Sequence, residues 1–229
     1  MTFSPLRTAL AAALASLATQ AFSTDLPRDV HIVYDALYGD FQLKIGQADQ
    51  RWHLANGRYE LVTQLTPVVG PKIRYVSRGE VGPNGLVPTS FAEYRNNDSQ
   101  PRSSAEFDWR QKQVHYGTAD SPRSATLEAG AQDVNAFTFQ LAWLGDKAAG
   151  SMQVISGKGM GRHNFELGEA VETTLDGKPL QARPVRSDDP RSHTEVWLAP
   201  SVSQMPVKVA RDDDEKKLVL VARSVNITR

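Results

Sequence analysis

No cysteine occurs in the sequence. That excludes thiol nucleophiles, thiolate-held metal and any disulfide framework, and a chain of 229 residues buries enough surface to fold without such staples. A surplus of charge of one sign is missing too: Lys plus Arg and Asp plus Glu number 26 each. A balanced chain presents no basic face for nucleic acid or anionic lipid, so neither is expected as a partner. Long hydrophobic runs are also lacking. The longest, Thr8 to Ala18 (TALAAALASLA), falls well short of the ~20 residues of a spanning helix, so no membrane span is expected in the mature chain.

That short run has a specific setting. Arg7 precedes it, and the small and polar residues Thr19-Gln20-Ala21-Phe22-Ser23 follow. A positive start, a short apolar stretch and a small-residue exit form the pattern of a cleavable export signal. Cleavage after Ser23 is expected, with Ala21 as the alternative site. An Ala-rich helix at the start of a domain is the competing reading. Residues 1–23 are therefore read as the signal and 24–229 as a single β-rich domain, exported to the periplasm and, with no Cys to acylate, released there.

The remainder alternates with period two between turn residues, the mark of half-buried strands. Val30 to Tyr34 opens one run, and Asp40 to Gly46 alternates with Phe41, Leu43 and Ile45 on one face. Asn56-Gly57 and Asp176-Gly177 separate pairs of such runs, and each is a strong signal for a tight hairpin. Ser104 to Trp109 is expected to pair with Gln113 to Tyr116. The charged run Arg211 to Lys217, acidic from Asp212 to Glu215, reads as a solvated hairpin tip rather than a metal site. One segment departs from this pattern. In Gln132 to Leu144, Val134, Phe137, Leu141 and Leu144 share a helical face, with Asp133 placed to cap it. Phe139 and Trp143 also fit period two, which leaves a strand as the alternative. Many short strands with tight turns predict a mainly β fold: an antiparallel, strongly curved sheet or partly open β-barrel with one packed α-helix.

Chemistry-bearing motifs are sparse. G-x-S-x-G is absent, as are the phosphate-loop patterns; Gly157-Lys158-Gly159-Met160-Gly161 reads as a turn. His31, His53, His115, His163 and His193 are scattered singly, without ligand spacing, so no metal and no cofactor is expected. Three carboxylates are candidates for acid–base work: Asp108 between Phe107 and Trp109, Asp133, and Glu195 near Trp197. A carboxyl desolvated by an indole has the raised pKa that a general acid needs. Structural roles compete in each case, namely a turn for Asp108, a helix cap for Asp133 and an exposed strand position for Glu195. Trp109, Trp143 and Trp197 are candidates for lining an apolar or sugar site within a curved sheet, against a plain core role.

Several strings taken in order carry a resemblance. They are Gly79-Glu80-Val81 with Gly85-Leu86-Val87-Pro88 and Phe91; Phe107-Asp108-Trp109; Gly130-Ala131-Gln132-Asp133; and Glu195-Val196-Trp197-Leu198-Ala199 followed by Met205-Pro206-Val207-Lys208. Their order and spacing resemble the bacterial exported family termed domain of unknown function 3108, from about Tyr34 to Ile227. The resemblance implies an envelope location and a mostly antiparallel β fold. It brings no catalytic residues, and it directs attention to Asp108, Trp109, Asp133 and Trp197. The leading expectation is a non-enzymatic protein that binds a lipid-like or other apolar or amphipathic ligand, or an envelope protein partner. The alternatives are a hydrolase of an envelope polymer with Asp108 as acid and Asp133 or Glu195 as second carboxylate, and a structural envelope domain that makes contacts through a sheet edge.

Overall fold

The computed structural model describes residues 26–189, 192–213 and 216–228; the expected export signal lies outside them. The first half is a meander of β1 (Asp29–Tyr38), β2 (Leu43–Ala55), β3 (Arg58–Pro67), β4 (Ile73–Gly82), β5 (Gly85–Arg95), β6 (Ser103–Asp108), β7 (Gln113–Thr118) and β8 (Ser121–Thr126). A two-residue strand β9 (Gln132–Asp133) leads into α1 (Phe137–Leu144). The second half comprises β10 (Gly150–Ile155), β11 (Met160–Leu167), β12 (Val171–Leu175), β13 (Lys178–Asp189), β14 (Ser192–Ala199), β15 (Met205–Asp213) and β16 (Lys216–Thr228).

Local chemistry sets the hairpins. Asn56 and Gly57 take φ of 53° and 73°, and Asp176 and Gly177 take 51° and 70°, the left-handed pair that a type I′ turn requires. Phe107 pairs with Val114 across β6 and β7, as expected. β15 and β16 pair out to Asp213 and Lys216, so the acidic run ends a hairpin whose tip residues, 214 and 215, lie outside the described set.

The strands form one curved sheet in the order β8-β7-β6-β5-β4-β3-β2-β1-β16-β15-β14-β13-β11-β10-β9, with β12 added on β13. The first and last long strands thus meet, antiparallel, from Asp29↔Thr228 to Tyr38↔Leu218. The sheet does not close by backbone pairing. Instead β9 lies against β5, where the Gln132 amide donates to Leu86 O (2.8 Å). β6 to β8 run on past this seam and cover a second apolar cluster that includes Phe91, Phe107, Val114 and Ile155. A partly open barrel describes the result.

The structure settles the strand-or-helix question at 132–144, and shortens the helix. Gln132 and Asp133 pair in parallel with β10, and α1 begins only at Phe137. Asp133 is not its N-cap. Its Oδ1 accepts the amides of Asn135 (2.8 Å) and Ala136 (2.9 Å), turning the chain before the helix starts. Phe137 to Ala142 are all buried, so α1 lies inside the curve of the sheet rather than on it, as a helix buried on every side must. The alternating string Asp40 to Gly46 also departs from expectation. Residues 39–42 are a turn and Phe41 is 90 % exposed. A bulge between Ala36/Leu37 and the facing residues of β2 resets the phase, and Gly46, Ala48, Gln50 and Trp52 become the buried set.

Trp52 ties the wall to the helix. It is 2 % exposed, stacks on Tyr59 and on Phe139 of α1 with centroids 5.0 Å away in each case, and donates its indole N–H to Pro27 O (2.9 Å). Replacing it removes the largest side chain from the contact between sheet and helix. Trp52→Ala is expected to lower the free energy of unfolding by about 3–5 kcal/mol, read from the shift in urea midpoint at unchanged m-value.

Candidate functional site

With α1 inside, the lumen is divided. One end is filled by the helix and its packing partners. Toward the other end a cavity of about 200 Å³ remains. Its walls come from the inward positions of the strands: Leu65, Phe165, Val209, Leu218 and Leu220 among them. Val134, Phe137 and Thr138 form its floor. The volume lies below the ~300–1,000 Å³ of drug-sized sites, so the space suits one narrow apolar chain.

Polar side chains are interspersed in this lining, Thr138, His163 and Thr194 among them. Tyr34, Gln50, Thr63 and Asn135 line the cavity and bond to one another in a row. The Tyr34 hydroxyl donates to Pro206 O (2.8 Å) and lies 3.1 Å from Gln50 Oε1. The Gln50 amide donates to Thr63 Oγ1 (2.9 Å), and Thr63 donates to Asn135 Oδ1 (2.7 Å). Asn135 donates in turn to Leu61 O (2.9 Å). This chain satisfies groups that would otherwise be buried at a cost of about 1–3 kcal/mol each. Burial holds the Tyr34 phenol far above its ordinary range. Near the mouth stand Tyr75 and Arg211. Burial, and then the Glu93 carboxylate, push Tyr75 up to about 12 against the opposing pull of Arg211.

Behind the floor sits Asp133, fully buried. Besides the two backbone amides it accepts the Ser77 hydroxyl, and Ser77 lies 3.4 Å from the Tyr59 hydroxyl. Burial is the largest influence on it and raises its carboxyl to about 6, against the lowering by these three donors. Asp133 thus carries a raised pKa, but every oxygen is engaged by the fold.

The other sequence candidates occupy separate places. Asp108 ends β6 and accepts the Gln111 amide (2.9 Å), holding the turn to β7. It borders a shallow outer cleft with Glu106, Trp109 and His115, where burial raises the Glu106 carboxyl. Glu195 pairs with Arg186 across β14 and β13 (2.7 Å). The three carboxylates share neither a cavity nor a hydrogen-bond partner. Trp109 donates to Pro88 O (2.6 Å) and stacks on Phe107. Trp143 is half-buried against the main core from the last turn of α1, and Trp197 carries Lys208 Nζ 4.2 Å above its ring. None of these three indoles lines the cavity. The residues that do, such as Phe165, Leu218 and Leu220, carry no motif. Their signal is parity along the strand, which they share with every other inward residue.

Comparison with known proteins agrees with the fold and adds no activity. The family described as "Protein of unknown function (DUF3108)" matches residues 33–218. No curated protein matches the chain. A crystal structure described as a β-barrel-like protein of domain of unknown function DUF1849, from Brucella abortus, is similar with a TM-score of 0.51 at 9 % identity, over 89 % of this chain and 100 % of that one. At that identity the likeness concerns the fold alone.

The Asp133 carboxyl has a measurable signature. Its native pKa of about 6 exceeds the ordinary 3.8, so between those values the folded state holds a proton that the unfolded state has lost. Its contribution favours folding most below pH 3.8 and fades as pH rises through 6. Asp133→Asn keeps an acceptor for both backbone amides and cannot titrate. Relative to the variant, the wild type is expected to gain roughly 2 kcal/mol of stability on going from pH 7 to pH 4, measured by urea unfolding at each pH.

Proposed function

The chain belongs to the DUF3108 family, and from that footing we propose that it is an exported, periplasmic binding protein that shelters the apolar chain of an amphipathic ligand in its lumen. The carrying observation is the cavity above α1, mostly apolar along its walls, with Arg211 and Tyr75 in its lining. An apolar recess with a few convergent polar groups is the ordinary form of a small-molecule site. A fatty acyl chain with a carboxylate or phosphate head matches both parts. Binding rather than catalysis is favoured because Asp108, Asp133 and Glu195 are each committed to a turn, a buried hydrogen-bond set or an ion pair. The periplasmic setting is supported by Arg7 and the apolar run Thr8 to Ala18, which together fit an export signal.

Two measurements test this. Intact mass of the protein recovered from a periplasmic extract is expected to match a chain beginning at Thr24; a chain retaining residues 1–23 in the cytosol would refute export. For binding, N-phenyl-1-naphthylamine is expected to brighten on addition of the protein and to be displaced by decanoate. Leu218→Trp, near the cavity mouth, is expected to weaken that displacement at least about tenfold, a change of about 1.4 kcal/mol, with little loss of stability. Dark probe with folded wild-type protein would sink the lumen reading.

A further inference from the structure

The rim around the cavity mouth carries the largest exposed apolar side chains of the described residues. Phe41 is 90 % exposed, Val69 88 %, Val68 78 %, Leu43 65 % and Tyr38 41 %. They come from two neighbouring loops and from the strand ends Tyr38 and Leu43 that flank the first. Residues 39–42 turn β1 into β2, and 68–72 connect β3 to β4. Backbone bonds hold both at their bases: the Val68 amide ties the second loop to Ile45 O of β2 (2.7 Å), and the Gly39 amide ties the first to Lys217 O of β16 (2.9 Å).

The patch continues the cavity wall. Leu218 lines the cavity and faces Tyr38 across the β1–β16 pair, while Tyr38 faces Leu43 across β1–β2. Directly paired residues stand on the same side of a sheet. Tyr38 and Leu43 therefore extend the apolar wall above Leu218, and Phe41 tops it. Most charges near the patch are balanced in pairs, Lys217 with Asp40 (3.1 Å) and Lys44 with Asp35 (2.8 Å), while Lys72 stands exposed at the base of the second loop.

We propose that these two loop tips dock the protein on a lipid bilayer, Phe41, Val68 and Val69 entering the interface so that the cavity mouth faces the acyl chains. The proposal rests on the lumen reading for its purpose and on the exposed tips for its geometry. Exposed apolar groups gathered on one patch mark an interaction site. Two narrow tips, one projecting Phe41 and the other Val68 and Val69, suit insertion among mobile lipids, and their continuity with an acyl-sized cavity gives a chain a path that never crosses water. With most neighbouring charges paired and no acidic lipid required by the apolar tips, the attachment is mainly apolar, so it holds on uncharged membranes and at high salt.

The test uses the exported protein and vesicles of pure phosphatidylcholine. Wild type is expected to co-sediment with them, equally in low and high salt. Phe41→Ser with Val68→Ser and Val69→Ser, all at exposed positions, is expected to partition at least about tenfold less, a change of about 1.4 kcal/mol, while still binding N-phenyl-1-naphthylamine in solution. The cysteine-free chain allows a second readout. An environment-sensitive fluorophore on Phe41→Cys is expected to shift to the blue with vesicles, and one on Asn84→Cys, in the turn at the opposite end, to stay unchanged. Wild type that remains in the supernatant, or a triple variant that sediments as well as wild type, overturns the docking. Capture of a protein through the tips, without vesicle binding, overturns it as well. Vesicle binding through the tips combined with no uptake of the naphthylamine probe upholds the docking and removes the lumen reading alone.

Discussion

Two glutamine side chains close what the backbone leaves open. Gln132 donates to Leu86 O, and Gln140 of α1 accepts the Leu86 amide (2.7 Å) and donates to Asn84 O (3.2 Å). Together they join β5 to the strand-and-helix segment inside the sheet. A sheet this long must curl, and without a closing ladder its curvature is fixed by whatever it curls around. Here that is α1. Gly85 shows how tight the fit is: its φ is +105°, and a Cβ there would collide with the Gln140 amide. The stacking of Trp52 on Phe139 then secures the opposite wall.

The same arrangement decides how deep the cavity can be. The helix fills one end of the lumen, and the row from Tyr34 through Gln50 and Thr63 to Asn135 anchors its entry segment against β1, β2 and β3. Buried polar groups are tolerated only when their partners are in place. Here each partner lies on a different element, so the row specifies where the helix sits as much as it stabilises it. Apolar residues alone would let α1 slide along the lumen. Asp133 acts in the same way behind the cavity floor, where it fixes the turn that leads into the helix.

The fold is largely legible in the sequence because its devices are local. Asn56-Gly57 and Asp176-Gly177 announce their hairpins through left-handed backbone angles, and the alternation of β1 is visible directly. The failures have local causes as well. The bulge in the β1–β2 register shifts parity by one, and nothing in Asp40 to Gly46 marks it. The sequence pattern starts the helix too early because Asp133 resembles a cap, whereas its carboxylate serves a turn just before α1. The candidate site is much less legible. A cavity wall is made of positions on strands far apart in the chain, and Phe165 or Leu220 differs from any core residue only in what lies opposite. Trp109, Trp143 and Trp197 attract attention by size, yet their places are set by packing, a carbonyl and a lysine.

The meeting of β1 with β16 has a consequence for how the chain reaches this state. Val30 faces Ile227, a loop closure spanning almost the whole domain, and such distant pairings form late and slowly. Until residues 216–228 arrive, β1 has neighbours on one side only and β15 lacks a partner beyond it. The barrel cannot close around α1 in a nascent chain. The β1–β16 pair is therefore the last part of the sheet that a chain made from its N-terminus can complete.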